Sequence, residues 1–213
     1  MDVNERTAIV WGAAGGIGRA LVDRLADEGW RVIAVTHSGE AVDRAALSIE
    51  ADAGNVFDVE RAVVAASQEA AEVDLFIYAA GDITAEPVAA MSPQAWRRIL
   101  DANLTGAFNA VHSTLPLLTP TAPLVFIGAV SERMRLPGLS AYAAAKAGLE
   151  AFAEALRKEE RKRKVMVVRP GAVATGFWDK VPFTMPSSAL APAKVAEGIL
   201  AALMVGHQGA LDL

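Results

Sequence analysis

A tyrosine and a lysine four residues apart, Tyr142 and Lys146, are the side chains of this sequence best suited to chemistry. Residues at i and i+4 share one face of a helix, so the two can act together. A free phenol titrates near ~10, too high for acid–base work at neutral pH unless a nearby cation favours its phenolate. Lys146 supplies that cation. The pair suits proton transfer to a reducible carbonyl, a reaction that also wants a hydroxyl donor for the carbonyl oxygen.

The elements that must position this pair are legible along the chain. Apolar runs at Thr7 to Trp11, Arg31 to Thr36, Leu47 to Ala51, Asp74 to Ala79, Leu124 to Gly128, Val165 to Val168 and a terminal "ALDL" read as strands. Continuous apolar strands of this kind suit a parallel sheet covered on both faces. Between them, helical periodicity spans about residues 16–28, 58–71, 93–118, 141–162 and 192–204, the third opening with Ser92 as cap and Pro93 at its first position. The alternation predicts an α/β fold: a doubly wound, seven-stranded parallel sheet with helices on both faces, in a single domain over 1–213.

The first strand runs straight into "GAAGGIGR", which contains Gly12, Ala14, Gly15, Gly16, Ile17, Gly18 and Arg19. Glycines between a strand and a helix allow a tight turn and let backbone N–H groups approach a pyrophosphate at the positive end of the helix dipole. This is a dinucleotide-binding signal. The second strand ends in "VTHS", with Thr36, His37 and Ser38 and no acid to accept from a ribose 2′-hydroxyl. Their hydroxyls and imidazole suit a 2′-phosphate, with Arg19 the stronger candidate cation, so NADP(H) is favoured and NAD(H) stays open.

Composition excludes several alternatives. Among 213 residues, 20 basic side chains against 25 acidic ones give a net charge of −5, which offers no broad attraction to phosphate backbones or anionic lipid. The sequence contains no cysteine, hence no disulfide framework, thiolate nucleophile or cysteine zinc site, and no metal site is expected. A reducing cytoplasm fits. No run approaches ~18 apolar residues, so no membrane span is expected. The charged stretch from Arg157 to Lys164 has no interleaved aromatic to stack a base and reads as a solvated helix end. His112 and His207 read as ordinary histidines.

Six ordered segments together resemble the short-chain dehydrogenase/reductase family along nearly the whole chain. "GAAGGIG" resembles its cofactor loop, and Asp52 falls where an aspartate contacts the adenine. "YAAG", with Ala79, Ala80 and Gly81, resembles its Asn-Asn-Ala-Gly segment, and Asp82, Ile83 and Thr84 follow it toward the cofactor. Asn103 matches the family's helix asparagine, Tyr142 and Lys146 its Tyr-x-x-x-Lys, and "RPGAVAT", with Pro170, Gly171, Val173 and Thr175, the segment flanking the nicotinamide. The resemblance implies a Rossmann-type oxidoreductase that moves a hydride between a nicotinamide and a carbonyl or alcohol carbon. It further implies that Lys146 holds the nicotinamide ribose and that Asn103 anchors a water relaying protons.

One departure bears on activity. The family's serine usually lies thirteen residues before the tyrosine, at Ala129 here, and losing such a donor costs about 10²–10³ in rate. Ser131, two residues on, falls on the same side of an extended chain, and Ser140 lies just ahead of Tyr142 but more simply caps that helix. Three readings stand: Ser131 replaces the donor, the tyrosine acts alone, or the site is a silent dinucleotide-binding regulator or scaffold. The first is carried forward. Trp11 and Tyr78, where the family has threonine and asparagine, read as packing residues. "GFWDKVPFTMPSSALAP" carries Phe177, Trp178, Phe183 and Met185 and is expected to lie over the nicotinamide as an apolar lid. Met134, Leu136 and Leu139 would form the opposite wall, suiting a small or medium apolar carbonyl or secondary alcohol. The resemblance also implies a homodimer or homotetramer joined through the helices at 93–118 and 141–162.

Overall fold

The computed structural model describes residues 6–129 and 136–213. Strands β1 (Thr7–Trp11), β2 (Arg31–Thr36), β3 (Leu47–Glu50), β4 (Leu75–Tyr78), β5 (Leu124–Ile127), β6 (Val165–Arg169) and β7 (Gly209–Asp212) form one sheet. Their order is β3-β2-β1-β4-β5-β6-β7, and every neighbouring pair is parallel. The connections run one way from β1 to β3 and the other way from β4 to β7. A crevice therefore opens between β1 and β4 at the carboxyl ends of the strands, where open α/β sheets bind ligands.

Period-two geometry explains why the central strands are apolar throughout. Ile9, Trp11, Phe76, Tyr78, Leu124 and Phe126 face one layer with α2 (Val56–Glu69), α4 (Gly106–Thr114) and α5 (Ser140–Glu159). Their neighbours Ala8, Val10, Leu75, Ile77, Val125 and Ile127 face the other, with α1 (Gly16–Asp27) and α6 (Pro192–Met204). Phe76, Phe126 and Phe152 stack tilted or edge-on at 5.8 and 5.9 Å, tying α5 to the sheet.

Helix ends follow local chemistry. Ser92 Oγ accepts from Ala95 N–H at 3.0 Å and Pro93 opens α3 (Pro93–Leu100), as the sequence predicts. The α2 helix starts at Val56 rather than at 58 because Asn55 Oδ1 accepts from Phe57 N–H and caps it. The largest difference lies in the helix expected over 93–118. It is interrupted by a π-helical turn at Asp101–Thr105, where Gly106 N–H reaches back to Asp101 C=O, and it closes in a 3₁₀ turn at Leu115–Leu117. Pro116 accounts for that ending, because it lacks an N–H and its ring clashes with the preceding turn. The α5 helix ends at Glu159, and the charged stretch beyond it folds back: Arg163 pairs with Glu160 and donates to the carbonyls of Leu118 and Thr119.

Candidate active site

The turn after β1 is dictated by close backbone approach. Gly12 has φ +78°, and a Cβ there would lie 2.4 Å from Ala80 N, so only glycine can pass beside the end of β4. A Cβ on Gly18 would lie 2.2 Å from Gly12 O, and one on Gly16 would lie 2.6 Å from Thr175 Cγ2. The N–H groups of Gly12 and Ala13 are spent on Val35 C=O, and that of Gly15 on Gly12 C=O. Gly15 is the N-cap of α1 and offers no capping side chain, so the first-turn donors of Gly16, Ile17 and Gly18 remain for an anion at the crevice. The cradle fits a dinucleotide's pyrophosphate.

Tyr142 and Lys146 lie on α5, with the lysine Nζ 5.7 Å from the centre of the tyrosine ring. Lys146 is 4% exposed and donates from Nζ to Ile127 C=O at 2.7 Å. An ideal Cβ on Gly81 would lie 2.7 Å from Asn103 Oδ1 and 3.6 Å from Lys146 Nζ, so these two groups face the same space left by the glycine. Asn103 is held from its other end, where Nδ2 donates to Asp82 C=O and Ile99 C=O at 2.7 and 2.8 Å. Its Oδ1 is buried and has no hydrogen-bond partner among the described residues. The structure thus brings Asn103, Gly81, Tyr142 and Lys146 to one place.

Electrostatics differ from the sequence expectation. Burial, with no opposing effect from the lysine, raises the Tyr142 phenol above its usual range. Burial also lowers Lys146, to about 7. Both groups lean toward neutrality, because moving a charge out of water costs more than a pair this loosely coupled returns. The depressed phenol expected from the i, i+4 spacing does not appear in this geometry.

The hydroxyl that would assist Tyr142 is not at residue 129, where the partly buried Ala129 follows β5. Ser131 and Met134 lie outside the described residues. Ser140 does not cap α5 as expected. Leu139 occupies the N-cap position, and Ser140 Oγ is buried with no partner among the described residues. Two residues along a helix are about 200° apart, so Ser140 and Tyr142 do not share a face. Of the expected wall, Leu139 is buried and Leu136 is exposed.

The segment after β6 reaches Tyr142. Phe177 packs edge-on to Tyr142 at 6.4 Å between ring centres. Trp178 Nε1 donates to Val173 C=O, and Val173 pairs with Leu190, which closes the base of the segment. Thr175 caps a 3₁₀ turn at Gly176–Lys180. Lys180 Nζ then pairs with Asp82 at 2.7 Å, across 98 residues of sequence. Asp82 also pairs with Arg98 of α3. Phe183 is half-buried and Met185 exposed. Pro170 and Gly171 follow β6, and Gly171 N–H donates to Leu213 C=O.

Beyond the end of β2 an acid stands close to Arg19. Glu40 Oε1 pairs with Arg19 Nη2 at 2.7 Å, and Arg19 Nε donates to Ala14 C=O, so the candidate cation for a 2′-phosphate is engaged by a surface carboxylate. The signal for Glu40 was its place, about twenty residues past the glycines, a little beyond the strand where such an acid is sought. Thr36 is buried and its Oγ1 points to Glu40 C=O at 3.4 Å, while His37 and Ser38 are exposed. Asp52 is exposed and fixed through Oδ1 by Gly54 N–H at 2.8 Å. Ala79 and Ala80 line the passage beside Gly12.

Residues 6–184 match the short chain dehydrogenase family. The 3-oxoacyl-[acyl-carrier-protein] reductase MabA of Mycobacterium tuberculosis is 31% identical over 174 residues, covering 80% of this chain and 70% of that protein. The 3-oxoacyl-[acyl-carrier-protein] reductase of Synechocystis sp. is 30% identical over 191 residues, 83% of this chain and 77% of that protein. Among solved structures, an alcohol dehydrogenase from the archaeon Thermococcus sibiricus complexed with 5-hydroxy-NADP has a TM-score of 0.88 at 21% identity, covering 99% of this chain and 96% of that one. A 3-ketoacyl-(acyl-carrier-protein) reductase from Brucella melitensis complexed with NADH has a TM-score of 0.87 at 23% identity, covering 98% and 96%. These two share the fold. The chain belongs to the short-chain dehydrogenase/reductase family of oxidoreductases.

Proposed function

We propose that the protein reduces a small to medium apolar ketone or aldehyde, or oxidises the matching secondary alcohol, with a nicotinamide dinucleotide. The observation that carries the reading is the convergence of Tyr142, Lys146 and the unpartnered Asn103 Oδ1 beside Gly81, with Phe177 against the tyrosine ring. The nicotinamide, when bound, supplies or receives the hydride. Tyr142 holds the proton at Oη, and burial keeps it there as an acid for the carbonyl oxygen. Lys146, lowered to about 7, exchanges its proton readily at neutral pH and can restore the one Tyr142 gives up. Asn103 Oδ1 faces Lys146 as an acceptor for the water through which protons reach solvent. Ser131 takes the place of the donor missing at Ala129.

The relatives named as 3-oxoacyl-carrier reductases make 3-oxoacyl thioesters the first substrates to try, and an apolar acyl chain suits Phe177 and Phe183. For the dinucleotide, NADP(H) stays favoured. The Arg19–Glu40 pair is exposed at both ends and worth about 0–1 kcal/mol, less than a charge-assisted bond from Arg19 to a 2′-phosphate returns. NAD(H) would instead offer its ribose hydroxyl to Glu40. Assembly into a dimer or tetramer would use the face where half-exposed Phe108 stacks on His112 and meets Phe152. Among the described residues no helix is long and apolar enough to cross a membrane.

Ala129 favours a second reading, a regulator that binds the dinucleotide without turning it over. Loss of absorbance from NADPH with a carbonyl panel, in wild type, Ser131→Ala and Tyr142→Phe, separates the two. The enzyme reading expects turnover that falls about 10²–10³ in Ser131→Ala and at least as far in Tyr142→Phe. Dinucleotide binding by tryptophan fluorescence without any turnover would establish the regulator. Lys146 gives an independent check. Its folded value near 7 lies below its ordinary 10.5, so the unfolded chain binds one more proton between these limits and stability rises with pH across them. Urea midpoints at pH 7 and 10 should show that rise in wild type and lose it in Lys146→Met.

A further inference from the structure

Tyr78 is fully buried at the end of β4, and its Oη donates to Ala102 C=O at 2.9 Å. Ala102 lies inside the π-helical turn that carries Asn103. We infer that Tyr78 is a positioning residue of the active site, whose hydroxyl holds this wide turn in the register that aims Asn103 Oδ1 at Lys146. The inference rests on the catalytic reading of Asn103 and Lys146 given above.

Three contacts follow one another along the same strand end. Tyr78 Oη holds Ala102, Gly81 leaves the space in which Asn103 Oδ1 faces Lys146 Nζ, and Asp82 C=O receives Asn103 Nδ2. The end of β4 thus acts as a ruler laid against the turn. A ruler is needed because π-helical turns are rare, and their i→i+5 bonding displaces carbonyls that an α-helix would pair internally. Reverting to i→i+4 bonding would rotate residue 103 by about 100° about the axis, away from Gly81. Gly106 completes the arrangement. A Cβ there would lie 2.5 Å from Tyr78 Oη and 2.8 Å from Asp101 C=O, so the phenol fits only because residue 106 has no side chain. Burial raises the Tyr78 phenol, and Asp52 adds to the effect, so the hydroxyl remains a donor and takes no part in proton transfer. Tyr142 lies beside Lys146, and the carboxylate of Asp82, whose backbone receives Asn103, is engaged by Lys180 and Arg98.

The test is the titration of Lys146 in the full chain, followed by the ¹³C shift of its ε-carbon, together with NADPH-dependent carbonyl reduction. Tyr78→Phe keeps the ring and removes the donor. Its expected effects are a shift of the Lys146 midpoint by at least about half a unit and a kcat lower by about tenfold. The KM for NADPH should stay within about twofold, since the cofactor turn is untouched. Gly106→Ala, which drives a methyl into the space of the hydroxyl, should move the Lys146 midpoint as well. If both variants leave that midpoint in place, Tyr78 is a packing residue and the inference is overturned, whatever happens to stability. A wild type that turns over no carbonyl would sink the proposed function instead, and the Lys146 titration would still decide this point.

Discussion

The turn after β1 and the segment after β6 form opposite rims of one crevice and touch at Gly16 and Thr175, yet they are held by different means. The first is fixed by backbone passing within contact distance of backbone, with glycine at each point of approach and no side chain needed. Beyond the backbone pairing with Leu190 at its base, the second is held by a few side-chain contacts: Trp178 to Val173 C=O, Phe177 against Tyr142, and Lys180 on Asp82. A rim made of backbone leaves almost no freedom of sequence or position. A rim whose outer part is held by a few partly exposed side chains can be released at smaller cost, which suits a cover that must open for substrate.

Substitutions that interrogate each rim sharpen this contrast. Gly12→Ala should have the largest effect. The left-handed backbone alone costs about 1–3 kcal/mol, and the approach to Ala80 N adds to it, so the urea midpoint should fall and NADPH binding should disappear in a fluorescence titration. Near-wild-type values would mean that the first rim is as yielding as the second. Lys180→Ala breaks a pair exposed at its lysine end and leaves Asp82 paired with Arg98, a loss of about 1 kcal/mol or less, so KM for the carbonyl should rise by up to about fivefold while the urea midpoint hardly moves. A collapse of stability there would make the latch a structural strut. Glu40→Gln should act most weakly, relieving a surface carboxylate beside Arg19 and shifting the NADPH/NADH preference toward NADPH by about two- to threefold at low salt. The shift should fade in 0.5 M NaCl; persistence would point to a shielded site.

The same contrast explains what the sequence disclosed. The glycine turn was legible because its glycines fall in a fixed pattern between a strand and a helix, although Gly12 and Gly16 answer to Ala80 and Thr175 far along the chain. The strands were legible because burial on both faces leaves nearly uninterrupted apolar runs such as Leu75–Tyr78 and Leu124–Ile127. Tyr142 and Lys146 could be placed on one helix face, but their protonation could not, since it depends on how deeply other elements cover them. The π-helical turn at Asp101–Thr105 was invisible because one extra residue scarcely disturbs a 3.6-residue pattern. The pairing of Asp82 with Lys180 spans 98 residues, and no local signal reports such a contact. The pairing of Glu40 with Arg19 has no local signal either, because Glu40 stands four residues beyond the end of β2 and meets Arg19 only where the loop folds back.

The meeting of Gly16 with the methyl of Thr175 has an evolutionary corollary. A chain that gained a side chain at the first position would have to shed bulk at the second, so descendants should trade volume between the two: alanine at 16 accompanied by glycine or serine at 175, and no lineage enlarging both. Two stretches far apart in the gene would then drift as partners, bound by the width of a single methyl group.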